Sequence, residues 1–206
     1  MLRMLAPLDD GMSAARVWDR QTTLSVSRPP VTTAPATARD THHMAKKRAA
    51  PARAKKAAAP LRFLVVEARF YREYADLMLD GAVKVLQEAG AEHDVITVPG
   101  SLEVPAAIVI ALDAAKAQRK TYDGVVALGC VVQGETYHFD IVANESARAL
   151  MELSIDLQLP LGNGILTVDD DDQARERLGG KHGHKGAQAA LAALHMARLK
   201  RELKGR

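Results

Sequence analysis

The sequence of 206 residues is poor in cysteine, in aromatic side chains and in long apolar runs. Its single cysteine, Cys130, excludes an internal disulfide and a thiolate zinc site, because both need further cysteines. No uninterrupted apolar run approaches the roughly 20 residues of a membrane helix, and the start lacks an apolar stretch long enough for a signal peptide. We therefore expect a cytoplasmic protein that does not bind membranes and is held together by packing.

The residues that are present divide the chain into two parts of different composition. Residues 1–60 carry 11 Lys and Arg against 4 Asp and Glu, whereas residues 61–206 carry 17 against 21. Six of the nine prolines also lie before Leu61, in sequence rich in Ala, Thr and Ser that has little apolar surface to offset the entropy lost on ordering. We expect residues 1–60 to be a disordered basic extension and residues 61–206 to be the folded domain.

Three interpretations of the basic extension stay open. The Lys and Arg cluster of residues 46–56 is typical of arms that bind nucleic acid electrostatically. A solvated Lys/Ala/Pro linker has the same composition, and it is favoured because no aromatic side chain lies among the charges for base stacking. Translation that starts at Met44 is the third interpretation. We expect no nucleic-acid partner, and the acidic folded part agrees with that expectation.

The folded part alternates short apolar runs with amphipathic stretches. The run of residues 123–132, DGVVALGCVV, is apolar throughout, as a central parallel strand buried on both faces should be. The pattern predicts an α/β three-layer sandwich of the flavodoxin-like type, with a central, mainly parallel four-stranded sheet and helices on both faces. Predicted strands lie within residues 62–70, 93–98, 123–132 and 164–168, and predicted helices cover residues 74–89, 102–118, 143–157, 169–178 and 187–203.

Ligands of such sheets bind beyond the carboxyl ends of the strands, beside helix N-termini. After the third strand, Gly134 and Thr136 form either a phosphate-binding turn before a helix or an ordinary turn. His138 lies in the same segment, and an imidazole is a group suited to acid-base chemistry, although a lone histidine is usually structural. Glu103 either binds ligand or is an ordinary first-turn acid. Phe70 lies past the first strand, which favours stacking on a planar heterocycle over a place in the core.

The segment of residues 175–186, RERLGGKHGHKG, combines four glycines with four cationic side chains. This composition suggests a clamp for an anion. His182 and His184 have no carboxylate cluster near them in the sequence, so we expect no metal site. The four acids Asp169 to Asp172 resemble a magnesium site only in charge, and helix capping explains them more simply.

Four motifs, PGSLEVPAA, ALGCVVQGETYHFDIVANESA, GNGILTVDD and RERLGGKHGHKG, resemble the lumazine synthase family in their order and spacing. The resemblance covers the chain from about Leu61 to the end. It implies a transferase of riboflavin biosynthesis that condenses 5-amino-6-(D-ribitylamino)uracil with 3,4-dihydroxy-2-butanone 4-phosphate. The product is 6,7-dimethyl-8-ribityllumazine, formed in the penultimate step, and neither cofactor nor metal is implied.

The resemblance also implies roles for individual residues, carried over by motif position. His138 is implied to transfer protons, and Phe70 to stack on the pyrimidine. The other substrate contacts implied within one subunit are Ser101, Leu102 and Glu103 to the ribityl chain, Cys130, Val131 and Val132 to the ring through backbone, and Glu135 and Thr136 to the phosphate.

The family forms homo-oligomers, either pentamers or sixty-subunit shells, with active sites at subunit interfaces. The resemblance implies that Asn163 and Arg177 come from a neighbouring subunit and complete the ring and phosphate contacts, with Lys185 as an addition. Three residues depart from the family pattern. Glu135 stands where a small residue is common and brings negative charge near the phosphate. Tyr71 stands where an Asn is common, and Asn163 stands where some members carry an aromatic residue.

A second function from another class is a non-catalytic oligomeric scaffold of the same fold that binds a flavin-related ligand. His138, Glu103 and Arg177 discriminate between the two, because a scaffold has no reason to retain all three. The sequence therefore favours the enzyme.

Overall fold

The computed structural model of the protein describes residues 59–205. Apart from residues 59 and 60, the predictions for the basic extension, including a start at Met44, lie outside the described residues. In chain order the elements are β1 (Arg62–Ala68), α1 (Arg72–Glu88), β2 (Glu92–Val98), α2 (Glu103–Ala117), β3 (Gly124–Val132), α3 (His138–Asp156), β4 (Leu161–Val168), α4 (Asp171–Glu176), β5 (Leu178–Gly180), β6 (Gly183–His184) and α5 (Lys185–Lys204).

The four long strands form one parallel sheet in the order β2-β1-β3-β4. Side chains of β1 alternate between two cores: Phe63 and Val65 pack with α1 and α5, whereas Leu64 and Val66 pack with α2 and α3. Strand β3 lies between β1 and β4 and is buried on both faces, which explains its continuous apolar run. The predicted α/β sandwich is confirmed.

Helix α1 ends at Glu88, one residue before the predicted end, and the predicted terminating glycine, Gly90, follows it. Gly90 takes a φ of 66°, a left-handed conformation that glycine adopts at least cost because it has no Cβ. Its N–H donates to the carbonyl of Gln87, and the N–H of Ala91 donates to the carbonyl of Leu86, each at 2.9 Å. This Schellman arrangement satisfies carbonyls that the helix end would leave unpaired, and it turns the chain into β2.

Helix α3 begins at His138, five residues before the predicted start at residue 143. The residue at its N-cap, Tyr137, makes no side-chain capping bond, so the usual Ser, Thr, Asp or Asn signal is absent. Strand β4 also begins earlier than predicted, at Leu161 instead of residue 164. Gly162 and Gly164 weaken its strand signal, although both positions pair with β3.

The segment predicted as an anion clamp contains a small antiparallel hairpin of β5 and β6. Gly179 and Gly183 have φ of 119° and 81°, conformations that require glycine. The strands have three and two residues, too few to show any alternation of apolar side chains. His184 then caps α5, because its Nδ1 accepts a hydrogen bond from the Ala187 N–H at 3.4 Å.

Helix α5 comes into backbone contact with β4 and with α1 at two glycines. A Cβ added to Gly162 would lie 1.9 Å from the carbonyl oxygen of Ala189, and one added to Gly186 would lie 2.1 Å from that of Met78. These glycines therefore allow α5 to pack closely. Within residues 59–205, no helix is long and apolar enough to cross a membrane.

Candidate active site

A cleft of about 420 Å³ lies beyond the carboxyl ends of β1, β2 and β3, and we call it the strand-end cleft. Four separate segments form its walls. They contribute Phe70 and Tyr71 after β1, residues 99–103 after β2, residues 130–132 at the end of β3, and Gly134, Thr136, His138, Phe139 and Val142 around the start of α3. The cleft thus gathers all the predicted site residues except Glu135, Asn163, Arg177 and Lys185.

Phe70 presents an open ring to the strand-end cleft. Its side chain is 73% exposed, although β1 ends in the buried residue Ala68 only two positions earlier. The ring of Tyr71 meets it edge to face, with centroids 5.0 Å apart and planes at 72°. The exposed face leaves Phe70 room to stack on a planar ligand, and its role in stacking stays a prediction.

The turn after β2 is packed tightly against β3. Ser101 is buried, and its Oγ would lie 2.6 Å from a Cβ placed on Gly129. The Glu103 carboxylate folds back toward Gly100 at the first turn of α2, where the helix dipole favours a negative charge. Leu102 is partly exposed between them, so this turn offers both polar and apolar contacts to a ligand.

The start of α3 combines Thr136 with exposed His138, which is the first residue of that helix. The first N–H groups of a helix have no intrahelical partner, and no side chain caps them from Tyr137. Such a terminus attracts anions. Glu135 is exposed and does not line the cleft, so its carboxylate is placed outside the wall that Thr136 and His138 form.

Cys130 forms part of the cleft wall as a buried thiol. Burial raises the pKa of Cys130 to about 12, and the negative charge of Asp171 adds to the rise. The thiol therefore stays protonated at neutral pH, and this site contains no thiolate nucleophile.

Iodoacetamide should alkylate Cys130 at pH 8 about a thousandfold more slowly in the native protein than in urea, since only the thiolate reacts and the native pKa lies about three units above the ordinary value. Mass spectrometry of timed samples measures both rates. Equal rates in the two states would show that the native thiol is neither buried nor raised in pKa.

Asn163, Arg177 and Lys185 line a second cleft of about 400 Å³ between β4 and α5, which we call the β4–α5 cleft. Arg177 Nη1 donates to the carbonyl of Gln173 at 3.0 Å, and Lys185 Nζ donates to Gln188 Oε1 at 2.9 Å. Within residues 59–205 neither cation forms an ion pair, so both keep their charge available for an anion.

The other cations of the predicted clamp are already paired. Arg175 lies 3.4 Å from an Asp172 oxygen, and Lys181 lies 2.6 Å from Glu176 Oε1. His182 lies near the same Glu176 carboxylate, at 3.4 Å. Only Arg177 and Lys185 therefore remain for a ligand, and the described part of the chain holds no group of three or more His, Cys, Asp or Glu side chains suited to a metal.

Several cleft residues were not predicted from the sequence. Phe139 and Val142 were missed because α3 was predicted to begin after them. Had the helix been predicted to begin at His138, the helical spacing would have placed Val142, one turn later, on the same side as His138. Gln188, three residues after Lys185 in the β4–α5 cleft, follows the same helical spacing.

Comparison with known families points to one family. The model of the family described as 6,7-dimethyl-8-ribityllumazine synthase matches residues 60–201. The chain belongs to that family. A 6,7-dimethyl-8-ribityllumazine synthase of Nitrobacter winogradskyi is 56% identical over 160 residues, 78% of this chain and 98% of that protein. The 6,7-dimethyl-8-ribityllumazine synthase 1 of Rhizobium meliloti is 60% identical over 144 residues, 70% of this chain and 94% of that protein.

A further 6,7-dimethyl-8-ribityllumazine synthase, from Agrobacterium fabrum, is 59% identical over 142 residues, 69% of this chain and 96% of that protein. These matches confirm the lumazine synthase family and the transferase prediction. They give no support to the non-catalytic scaffold.

Proposed function

We propose that the strand-end cleft is where this chain condenses 5-amino-6-(D-ribitylamino)uracil with 3,4-dihydroxy-2-butanone 4-phosphate to give 6,7-dimethyl-8-ribityllumazine. The observation that carries the proposal is that three stretches distant in the chain, residues 70–71, 99–103 and 130–142, meet at one cleft of a lumazine synthase family member. Both substrates are small molecules, and the reaction passes through an imine, phosphate elimination, ring closure and loss of water.

The aminouracil takes the part of the cleft between Phe70 and the end of β3. Its planar ring stacks on the exposed face of Phe70, and the backbone of Cys130, Val131 and Val132 contacts the ring edge. The ribityl chain extends along the turn after β2, where Ser101, Leu102 and Glu103 lie. The mixture of a buried hydroxyl, a carboxylate and an apolar side chain in that turn suits a polyol.

The ketone phosphate binds at the start of α3. Thr136 and the unpaired N–H groups of the first turn hold its phosphate, so the helix dipole stabilises the dianion. The Glu135 side chain lies outside the cleft, which reduces its repulsion of the phosphate; its backbone N–H is the group offered there. His138 lies beside this position and moves protons during imine formation and phosphate elimination.

The site is completed by a neighbouring subunit of a homo-oligomer, a pentamer or a sixty-subunit shell. Support comes from the separation of the predicted residues into two clefts of one chain. Arg177 and Lys185 carry unpaired charges in the β4–α5 cleft, and Asn163 lies beside them. Two cations from a neighbour would neutralise the phosphate bound at α3 of the first subunit.

The full chain and a chain that lacks residues 1–43 should both form the lumazine at equal rates, without added metal or nucleotide, because residues 61–206 hold every proposed site residue. We also propose that residues 1–43 add nothing to the stability of the folded domain, so the two proteins should melt at the same temperature. Product fluorescence and thermal unfolding measure these quantities. A full chain that yields no lumazine would refute the proposed function, and a lower melting temperature after truncation would show that residues 1–43 stabilise the folded domain.

A further inference from the structure

A charged residue lies buried at the end of the apolar strand β1, and the proposed reaction does not use it. Glu67 is only 2% exposed. Its Oε1 accepts hydrogen bonds from Thr97 Oγ1 and from Arg69 Nε, each at 2.8 Å. Its Oε2 is buried, with no hydrogen-bond partner among the described residues. A buried carboxylate is costly in free energy, and replacing such a pair by apolar side chains is often neutral or stabilising.

Arg69 connects this carboxylate to three elements around the turn of residues 69–71. Its guanidinium bonds to Glu67 on β1 and lies 2.9 Å from Asp76 Oδ1 on α1. Its backbone N–H donates to the carbonyl of Val98 at the end of β2, at 3.0 Å. The Glu67 carboxylate and the Asp76 carboxylate together hold the pKa of Arg69 above its usual range. The residue that precedes Phe70 is therefore attached to β1, β2 and α1 at once.

Phe70 itself has little packing of its own. Its ring is 73% exposed, and the edge of the Tyr71 ring is the aromatic contact that it makes within the described chain. Because few side chains pack against the Phe70 ring, its position is determined mainly by the backbone of residue 70. The position of the stacking ring thus depends on how firmly the turn of residues 69–71 is held.

We propose that Glu67 and Arg69 are positioning residues that hold the Phe70 ring at the stacking position for the aminouracil. This inference rests on the proposed function, in which Phe70 stacks on the pyrimidine. Neither residue lines the strand-end cleft, so both act through the turn and not by touching substrate. The Glu67 carboxylate thus helps to orient the Phe70 ring, and its burial lowers the stability of the fold.

The main test is Arg69→Met, which keeps most of the apolar stem of the side chain and removes the fork that joins Glu67 to Asp76. The KM for the aminouracil should rise about tenfold, the loss expected when an aromatic stacking contact is misplaced, while the KM for the ketone phosphate stays within about twofold. Arg69→Lys keeps a cation that reaches one carboxylate, so it should recover part of the affinity.

The matched control is Arg72→Met, an arginine three residues later at the start of α1. Within residues 59–205 the Arg72 side chain makes no hydrogen bond or ion pair, so its loss changes local charge without loosening the turn. The aminouracil KM of this variant should equal that of the unchanged protein. An equal rise in both arginine variants would overturn the inference, because charge alone would then explain the effect.

A double-variant cycle with Phe70→Ala separates this inference from the proposed site. If Arg69 acts through Phe70, the effect of Arg69→Met on the aminouracil KM should disappear once the ring is absent. Full additivity would overturn the inference. A rise with Phe70→Ala but none with Arg69→Met would overturn the inference and leave the site intact. No effect of Phe70→Ala would remove both the stacking assignment and the inference.

Glu67→Gln covers the case in which Arg69→Met does not fold. The amide oxygen can still accept from Thr97, so the strand keeps that bond and loses only the charge that holds Arg69. This variant should raise the aminouracil KM selectively, as Arg69→Met does. Equal rises for both substrates would mean a general loss of structure and would contradict the positioning role.

Discussion

Replacing His138 by alanine should lower kcat for lumazine formation by about 100-fold or more. The side chain lies exposed at the first residue of α3, in the strand-end cleft beside the proposed phosphate position, and general acid-base catalysis contributes on that scale. Activity should not fall to zero, because holding the two substrates together accelerates their reaction without a proton-transfer group. Fluorescence of the product under saturating substrates measures kcat directly.

His195→Ala is the control for this variant. His195 is an exposed histidine of α5 that lines neither the strand-end cleft nor the β4–α5 cleft. Its loss should leave kcat unchanged. Full activity of His138→Ala would remove the proton-transfer role from His138.

Replacing Arg177 by alanine should weaken binding of the ketone phosphate tenfold to a hundredfold. A guanidinium that meets a phosphate in a partly desolvated cleft makes charge-assisted hydrogen bonds worth about 1.5–3 kcal/mol. The KM for the aminouracil should change little, because Arg177 is proposed to contact the phosphate and not the pyrimidine ring. Arg175→Ala is the matched control, since that guanidinium faces Asp172 and does not line the β4–α5 cleft.

Mixed assemblies test whether Arg177 acts across an interface. Arg177→Ala subunits and His138→Ala subunits that are unfolded, mixed and refolded together should regain activity above either parent. In a mixed ring, an intact His138 from one subunit meets an intact Arg177 from its neighbour. Mixtures without any gain would place each site within a single chain and would overturn the interface proposal.

The parts of the fold that the sequence predicted are those with strong local signals. The apolar run of β3 predicted a doubly buried strand, and Gly90 predicted the end of α1. The start of α3 was wrong by five residues because Tyr137 provides no capping side chain. The β5–β6 hairpin was missed because its strands are too short to show a period.

The candidate site residues were named from residue type and motif, and the resemblance assigned Asn163, Arg177 and Lys185 to a neighbouring subunit, but the β4–α5 cleft that holds these three in one chain was not predicted. Asn163 and Arg177 follow the other motifs in the chain, and only the packing of α5 on β4 places them together in a separate cleft. Glu67 was also missed, although a charged residue within the apolar run RFLVVEARF is a visible signal. The role of Glu67 depends on Thr97, which bonds to it, and on Asp76, which bonds to its partner Arg69. Both are distant from Glu67 in sequence, and the sheet and α1 bring them close.

The glycine contacts of α5 limit how the β4–α5 cleft can diverge among descendants of this chain. Gly162 and Gly186 leave no room for any side chain, so every substitution there moves a helix that carries Lys185. Asn163, next to Gly162, is exposed and meets no such barrier. Single substitutions at exposed positions such as Asn163 can therefore change what the β4–α5 cleft binds, while the distance between β4 and α5 stays the same.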